Sequence, residues 1–182
     1  SVIAGGSILS MNIGCTENSP AASPPHNWAG NIEFSTSKVF QPKGVEDLTA
    51  FIKKSGKIKA QGTRHCFNRI ADSKNQLISM SNFNKILFLD KEKSTVKVEA
   101  AIKYGDLASY LHKEGYALHN LASLPHISVA GSVATATHGS GVGNGNLATQ
   151  VEAIEFINAK GQLISLSKID GDEFLAAVVG LG

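Results

Sequence analysis

The sequence predicts a mixed α+β fold, and three observations support that prediction. Apolar residues recur at helical spacing in some segments and alternate, as in a strand, in others. The two kinds of segment follow one another in strand–helix–strand units. Two apolar runs near the end of the chain are joined by a short glycine-containing turn, which favours an antiparallel hairpin. The 182 residues, 42% of them hydrophobic, suffice for one core or for two small lobes packed together.

The first half of the predicted fold places strands around a helix. The strands are predicted at residues 37–44, 57–61 and 76–81. The helix lies between the first two strands, because Val45, Leu48 and Ile52 fall on one helical face and Gly56 ends it.

The second half repeats this alternation. A strand is predicted at residues 94–102 and the hairpin at residues 151–167, where Gly161 suits a positive φ. Between them, a helix that ends at Gly115 has one apolar face, made by Tyr104, Leu107, Ala108 and Leu111. A last helical face consists of Phe174, Ala177, Val178 and Leu181. The chain then stops where a turn into another element would begin, so we expect a longer protein.

The first 26 residues differ from the rest. Residues 1–15 are apolar, small and uncharged, which is typical of the apolar region of an export signal, and a Ser/Pro/Asn-rich tether follows. Residues 13–15 partly resemble a lipoprotein cleavage box, although Asn12 stands where Leu is usual. An N-terminal arm, or a strand of the domain, is the alternative interpretation. The protein is therefore expected to be either exported, as a periplasmic or lipid-anchored bacterial protein, or cytoplasmic.

Several function classes are disfavoured by composition and spacing. A net charge of +2 without a Lys/Arg cluster argues against a nucleic-acid surface. Cys15 and Cys66 lie in unlike contexts, which argues against a disulfide framework and a thiolate metal site. The histidines of the second half are too widely spaced for a metal site. Ser140 lacks the five-residue elbow of hydrolases. We expect no metal and no nucleic acid.

Two glycine-bearing stretches remain as candidate sites. Residues 117–150 have no clear period and are rich in Gly, Ser, Thr, Ala and His, a composition that suits backbone packed against a flat, bulky group. In residues 59–73 a strand runs into Gly62, after which backbone N–H groups and Arg64 can form an anion nest. The dinucleotide and triphosphate fingerprints are both absent. An ordinary turn with a surface arginine and a half-buried histidine is the alternative.

Three segments together resemble the alditol (xylitol) oxidases of the vanillyl-alcohol oxidase / p-cresol methylhydroxylase flavoprotein superfamily. They read NWAGN, GTRHCFNRIADS and ASLPHISVAGSVATATHGSGVGNGNL. The likeness covers residues 27–182 in order, and the looser pattern also fits aldonolactone oxidases. The resemblance implies an FAD-binding domain in which two small α+β subdomains, residues 27–90 and 91–182, clasp the cofactor. The second would be truncated, and the substrate domain would be absent.

The resemblance also implies site residues. His65 aligns with the histidine that bonds covalently to the 8α-methyl of FAD. The turn over the pyrophosphate would be lined by Gln61, Gly62, Thr63, Arg64 and Cys66. The second flavin loop would contain Ser123, on the substrate side, with Ser128, Gly131, Thr135, Ala136, Thr137, His138, Ser140 and Gly141. Some relatives have Gly at position 64 and Ser at position 66.

The implied reaction is oxidation of an alditol's primary hydroxyl by O2, giving an aldose and hydrogen peroxide. Attachment to the flavin needs a neutral imidazole, and the guanidinium of Arg64 is expected to disfavour the imidazolium of His65. Cys66 is expected to pack and not to react. The catalytic base is unknown and expected beyond Gly182, with the substrate domain. The alternatives are an aldonolactone oxidase or dehydrogenase and a non-catalytic, truncated flavin-binding module.

Overall fold

A computed structural model describes residues 23–181 and confirms the mixed α+β fold. The strands are β1 (Val39–Phe40), β2 (Ile58–Gln61), β3 (Gln76–Ser79), β4 (Ile86–Asp90), β5 (Thr95–Val98), β6 (Ala153–Ile157) and β7 (Leu163–Ser167). The helices are α1 (Val45–Lys54), α2 (Tyr104–Lys113), α3 (Val129–Ala134) and α4 (Asp172–Val178). The predicted export segment, with Cys15, lies almost entirely outside the described residues.

The first sheet has three parallel strands in the order β1-β3-β2. Helix α1 connects the two outer strands, and its apolar face packs Leu48 and Ile52 against Ile78 of the central strand. The neighbouring Leu77 is fully buried. The arrangement places the carboxyl end of β2, and the turn that follows Gln61, at one edge of this sheet.

Of the hairpin β4–β5, only the second strand was predicted from the sequence. Its first strand, β4, has the sequence ILFLD, whose continuous apolar run lacks the alternation of a half-buried strand. The hairpin packs on α2 through Ile102, Leu107 and Leu111. The predicted subdomain boundary after residue 90 falls between these two paired strands, and the division into subdomains stays a prediction.

The last part of the chain forms the predicted antiparallel hairpin β6–β7, with Gly161 at φ +72° in its turn. Its core joins α3, β7 and α4 through Val133, Leu166, Phe174 and Val178. Leu181, predicted on the α4 face, lies beyond the helix and is 51% exposed.

The glycine-rich segment at residues 117–150 contains a short helix that the sequence analysis missed. Helix α3 has six residues, VAGSVA, and begins after Ser128. Six residues are too few to show a period, and this sequence includes a glycine and a serine, which are poor helix formers. None of the helices among residues 23–181 is long and apolar enough to cross a membrane.

A half-buried carboxylate, that of Asp72, fixes the chain that follows the candidate turn. Asp72 accepts hydrogen bonds from the backbone and hydroxyl of Ser35, both at 2.7 Å, and from Arg69 at 2.8 Å. Burial alone would raise the pKa of Asp72, but these hydrogen bonds and one from the Ser73 backbone lower it to about 2. The ionised carboxylate therefore ties residues 69–73 to the segment before β1.

Asp72→Asn is expected to lower the free energy of unfolding at pH 7 and to leave it near the wild-type value at pH 2. The folded-state pKa lies below the ordinary value of 3.8, so the unfolded chain binds the proton first as the pH falls. The stabilisation is therefore complete above pH 3.8 and is lost as the pH falls through 2. Urea unfolding at a series of pH values measures it.

Glu92→Gln is the matched control, because this side chain is exposed and makes no hydrogen bond or ion pair among the described residues. It should show no such pH dependence. A constant difference between wild type and Asp72→Asn from pH 2 to pH 7 would contradict the proposed role of the ionised carboxylate.

Candidate functional site

The structure brings the turn after β2 against the start of α3, which are two of the predicted cofactor-binding stretches. The backbone N–H of Ser128 donates to Thr63 Oγ1 at 3.3 Å. A Cβ added at Gly62 would lie 2.7 Å from Ser128 Oγ and 3.6 Å from Gly131 Cα. A Cβ at Gly131 would lie 2.8 Å from the same hydroxyl. Glycine at both positions is therefore what allows the two backbones to approach.

Both stretches contain a non-glycine residue in the left-handed region. Arg64 has φ +63° and Ala136 has φ +52°. Such a conformation is unfavourable for residues with a Cβ and is found mainly where surrounding contacts hold it. The carbonyl of Arg64 accepts a 2.8 Å hydrogen bond from the backbone of Trp28. Its guanidinium is exposed and makes no ion pair or hydrogen bond within residues 23–181, so it is available to an anionic ligand.

His65 lies at the centre of this arrangement. Its Nδ1 is 3.0 Å from Thr63 Oγ1, whereas its Nε2 is buried and has no hydrogen-bond partner among the described residues. The ring stacks on Trp28, with a centroid distance of 5.1 Å, and contacts the ring of His126 at 4.6 Å. An imidazole is thus enclosed by two rings, with one nitrogen left for a ligand.

Burial lowers the pKa of His65, and the positive charge of a protonated His126 lowers it further, while a hydrogen bond that the imidazole donates to the Thr63 backbone opposes both. The sequence analysis attributed this effect to Arg64, and that attribution is wrong. The side chain of Arg64 points to solvent, so the neighbouring cationic group that matters is an imidazole more than sixty residues away in sequence. Proximity along the chain did not indicate it.

Other buried polar atoms without partners are Gln61 Oε1, His126 Nε2, Asn120 Nδ2 and Asn146 Oδ1. Buried polar groups in folded proteins are nearly always hydrogen-bonded, so each such atom calls for a partner, either water or a ligand. Gln61 and His126 belong to the turn and to the segment before α3. Together with the glycine contacts and the free guanidinium, they fit a large, flat, anionic nucleotide such as FAD.

The later part of the predicted loop is shaped by local contacts. Thr137 donates its backbone N–H to Ser132 and accepts one from Leu147, which folds the chain back after α3. Gly139 packs on the Leu121 carbonyl so closely that a Cβ would lie 2.2 Å from it. The exposed predicted residues, none hydrogen-bonded to the turn at residues 62–66 in the described structure, are Ser123, Thr135, His138, Ser140 and Gly141.

Sequence reasoning gave no role to three residues of the site, namely Asn27, Trp28 and His126. The Asn27–Trp28 pair was noted only as part of a motif, yet Asn27 Nδ2 donates to the Cys66 carbonyl at 2.9 Å and Trp28 covers His65. Cys66 itself is half-buried, with Sγ 3.9 Å from the Arg64 carbonyl. Within residues 23–181, no three His, Cys, Asp or Glu side chains are grouped to hold a metal ion.

The chain is similar in sequence to oxidases of two kinds. The chain is 40% identical over 159 residues to an alditol oxidase of a Streptomyces species, covering 86% of this chain and 38% of that protein. It is 35% identical to the L-gulonolactone oxidase of Mus musculus, covering 86% and 37%. The chain thus spans less than two fifths of the length of these relatives.

A solved structure of cholesterol oxidase from B. sterolicum matches the fold with a TM-score of 0.74 at 19% identity, covering 86% of this chain and 34% of that one. A family model described as FAD binding domain matches residues 36–167. The chain therefore belongs to this FAD-binding family, of the p-cresol methylhydroxylase type that its motifs indicated.

Proposed function

We propose that this chain is the FAD-binding portion of a flavoprotein oxidase that converts the primary hydroxyl of an alditol to an aldose, with O2 as acceptor and hydrogen peroxide as by-product. One observation carries the proposal: the turn containing His65 packs on the start of α3, and the Nε2 of its imidazole is buried without a hydrogen-bond partner in the described part of the chain. The 40% identity to an alditol oxidase supports the substrate class.

The residues of the turn and of α3 have distinct proposed roles toward FAD. Backbone N–H groups around Gly62 and the free guanidinium of Arg64 bind the diphosphate. Ser128, Gly131 and the loop from Thr135 to Gly141 line the second wall, where small side chains let backbone donors approach the ring. When bound there, FAD would supply the redox chemistry of the alcohol oxidation, and the residues of the turn and of α3 would hold it in place.

His65 is proposed as the covalent attachment point. A nucleophilic imidazole must be neutral, and the lowered pKa of His65 keeps it so at neutral pH. The enclosing rings and Thr63 fix its direction, which reduces the entropy lost when it meets the cofactor. Cys66 is proposed to pack only, because its thiol makes no contact with the imidazole among those found.

The substrate would be bound jointly with residues beyond Gly182, which would also supply the catalytic base. The greater length of the relatives supports this proposal. Ser123 is exposed, lies three residues before His126 in sequence and is proposed to face the substrate. An aldonolactone oxidase is the rival, favoured by the 35% identity to L-gulonolactone oxidase, and a non-catalytic flavin-binding module is the second rival.

His65→Ala is expected to abolish acid-stable flavin. Wild-type chain expressed with sufficient FAD should stay yellow after acid precipitation, whereas the variant should release its flavin, because alanine has no nucleophilic atom to form the bond. His112→Ala, a change on the exposed end of α2, is the control and should retain the colour. Flavin that remains attached in His65→Ala would disprove the assignment.

The substrate class is tested on the chain extended through its C-terminal portion. Peroxide release should be faster with xylitol or sorbitol than with L-gulono-1,4-lactone, and should depend on bound FAD. An extended protein that oxidises the lactone and no polyol would establish the rival oxidase. One that binds FAD and oxidises neither would support the non-catalytic module.

Arg64→Gly and Arg64→Ala separate charge from backbone strain at position 64. Both variants lose the guanidinium, so FAD affinity should fall by a similar factor in each. Only glycine relieves the left-handed φ of +63°, so Arg64→Gly should exceed Arg64→Ala in free energy of unfolding by about 1 kcal/mol. Titration with FAD and urea unfolding measure the two effects. Equal stabilities would show that position 64 is not strained.

A further inference from the structure

We propose that Trp28 is a positioning residue for His65, whose imidazole it holds, together with the turn that carries it, in the orientation needed to meet the cofactor. This inference rests on the proposed role of His65. It concerns the segment Asn27–Asn31, to which neither the motif analysis nor the proposed function assigns a task.

The first argument is the contact between the rings. The indole of Trp28 and the imidazole of His65 lie with centroids 5.1 Å apart and planes 23° from parallel, within the range of offset stacking. Trp28 also lies 5.6 Å from His126, which itself contacts His65 at 4.6 Å. The three rings contact one another, so the orientation of the imidazole is favoured by its contacts with both the indole and the second histidine.

The second argument is the backbone attachment on both sides of His65. The carbonyl of Arg64 accepts from the Trp28 N–H at 2.8 Å, and the carbonyl of Cys66 accepts from Asn27 Nδ2 at 2.9 Å. These are the two carbonyls that flank His65. Since Arg64 has an unfavourable left-handed φ, the conformation that presents His65 depends on such external contacts.

The third argument is that the segment Asn27–Asn31 is itself held in place by hydrogen bonds. Asn27 is only 4% exposed, and its Oδ1 accepts the Ile32 N–H at 3.0 Å while its Nδ2 also donates to Asn31 Oδ1 at 2.9 Å. Trp28, in contrast, is 56% exposed. An indole that is so exposed contributes little to a hydrophobic core. Its main contact is with the imidazole of His65, which it covers.

The test compares Trp28→Ala with Trp28→Phe in the rate of covalent FAD incorporation into the apo chain. Losing one aromatic contact should slow incorporation about three- to tenfold in Trp28→Ala, while phenylalanine should restore it to within about twofold. Phe67→Ala is the control, because Phe67 follows the same turn, is 69% exposed and stacks on no ring among the described residues. It should incorporate FAD at the wild-type rate.

Two further measurements distinguish positioning from other roles. In the His65→Ala background, adding Trp28→Ala should leave the non-covalent FAD dissociation constant within about twofold. A fall in affinity equal to the fall in rate would instead make Trp28 a cofactor ligand and overturn the proposal. Equal incorporation rates in wild type, Trp28→Ala and Trp28→Phe would overturn it as well.

The imidazole proton resonances of His65 in the apo chain provide a readout without flavin. The indole ring current should shift them upfield in wild type, less in Trp28→Phe and not in Trp28→Ala. If wild type takes up no covalent flavin, the proposed role of His65 fails, and the ring-current shift still decides whether Trp28 holds the imidazole. An unshifted wild-type resonance would overturn the positioning role itself.

Discussion

The close approach of Gly62 to the first turn of α3 is the constraint on which the site depends. A methyl group at position 62 would meet the Ser128 hydroxyl at 2.7 Å, so the contact exists only because the residue is glycine. The contact joins the edge of the parallel sheet to a helix from the other half of the chain. It thereby brings the turn at residues 62–66 into a site whose other residues come from distant parts of the sequence.

Backbone strain is concentrated in the same place. Two of the described non-glycine residues with positive φ, Arg64 and Ala136, lie in the two predicted cofactor-binding stretches. A strained residue persists when its neighbours determine its conformation, and the carbonyls at 64 and 66 are indeed held by the Asn27–Asn31 turn. That turn is therefore better understood as part of the site than as a peripheral arm.

The predictable features were those whose cause is local in sequence. Periodicity identified α1, α2 and the β6–β7 hairpin, and Gly161 indicated the hairpin turn correctly. The strand ILFLD and the six-residue α3 were missed because neither shows a period that distinguishes helix from strand. Sequence also identified both stretches that meet at Gly62. Their contact could not be derived from either stretch, since it depends on how the sheet and α3 pack.

The environment of His65 shows why the electrostatics of the site were less predictable from the sequence than the helices and strands. Arg64 is adjacent in sequence, but a residue in an extended or left-handed turn directs its side chain away from that of its neighbour, and here the guanidinium reaches solvent. His126 is distant in sequence, but its ring lies 4.6 Å from that of His65. Burial and the neighbouring His126 both lower the pKa of His65. The second histidine thus favours the neutral state of His65 that the nucleophile requires.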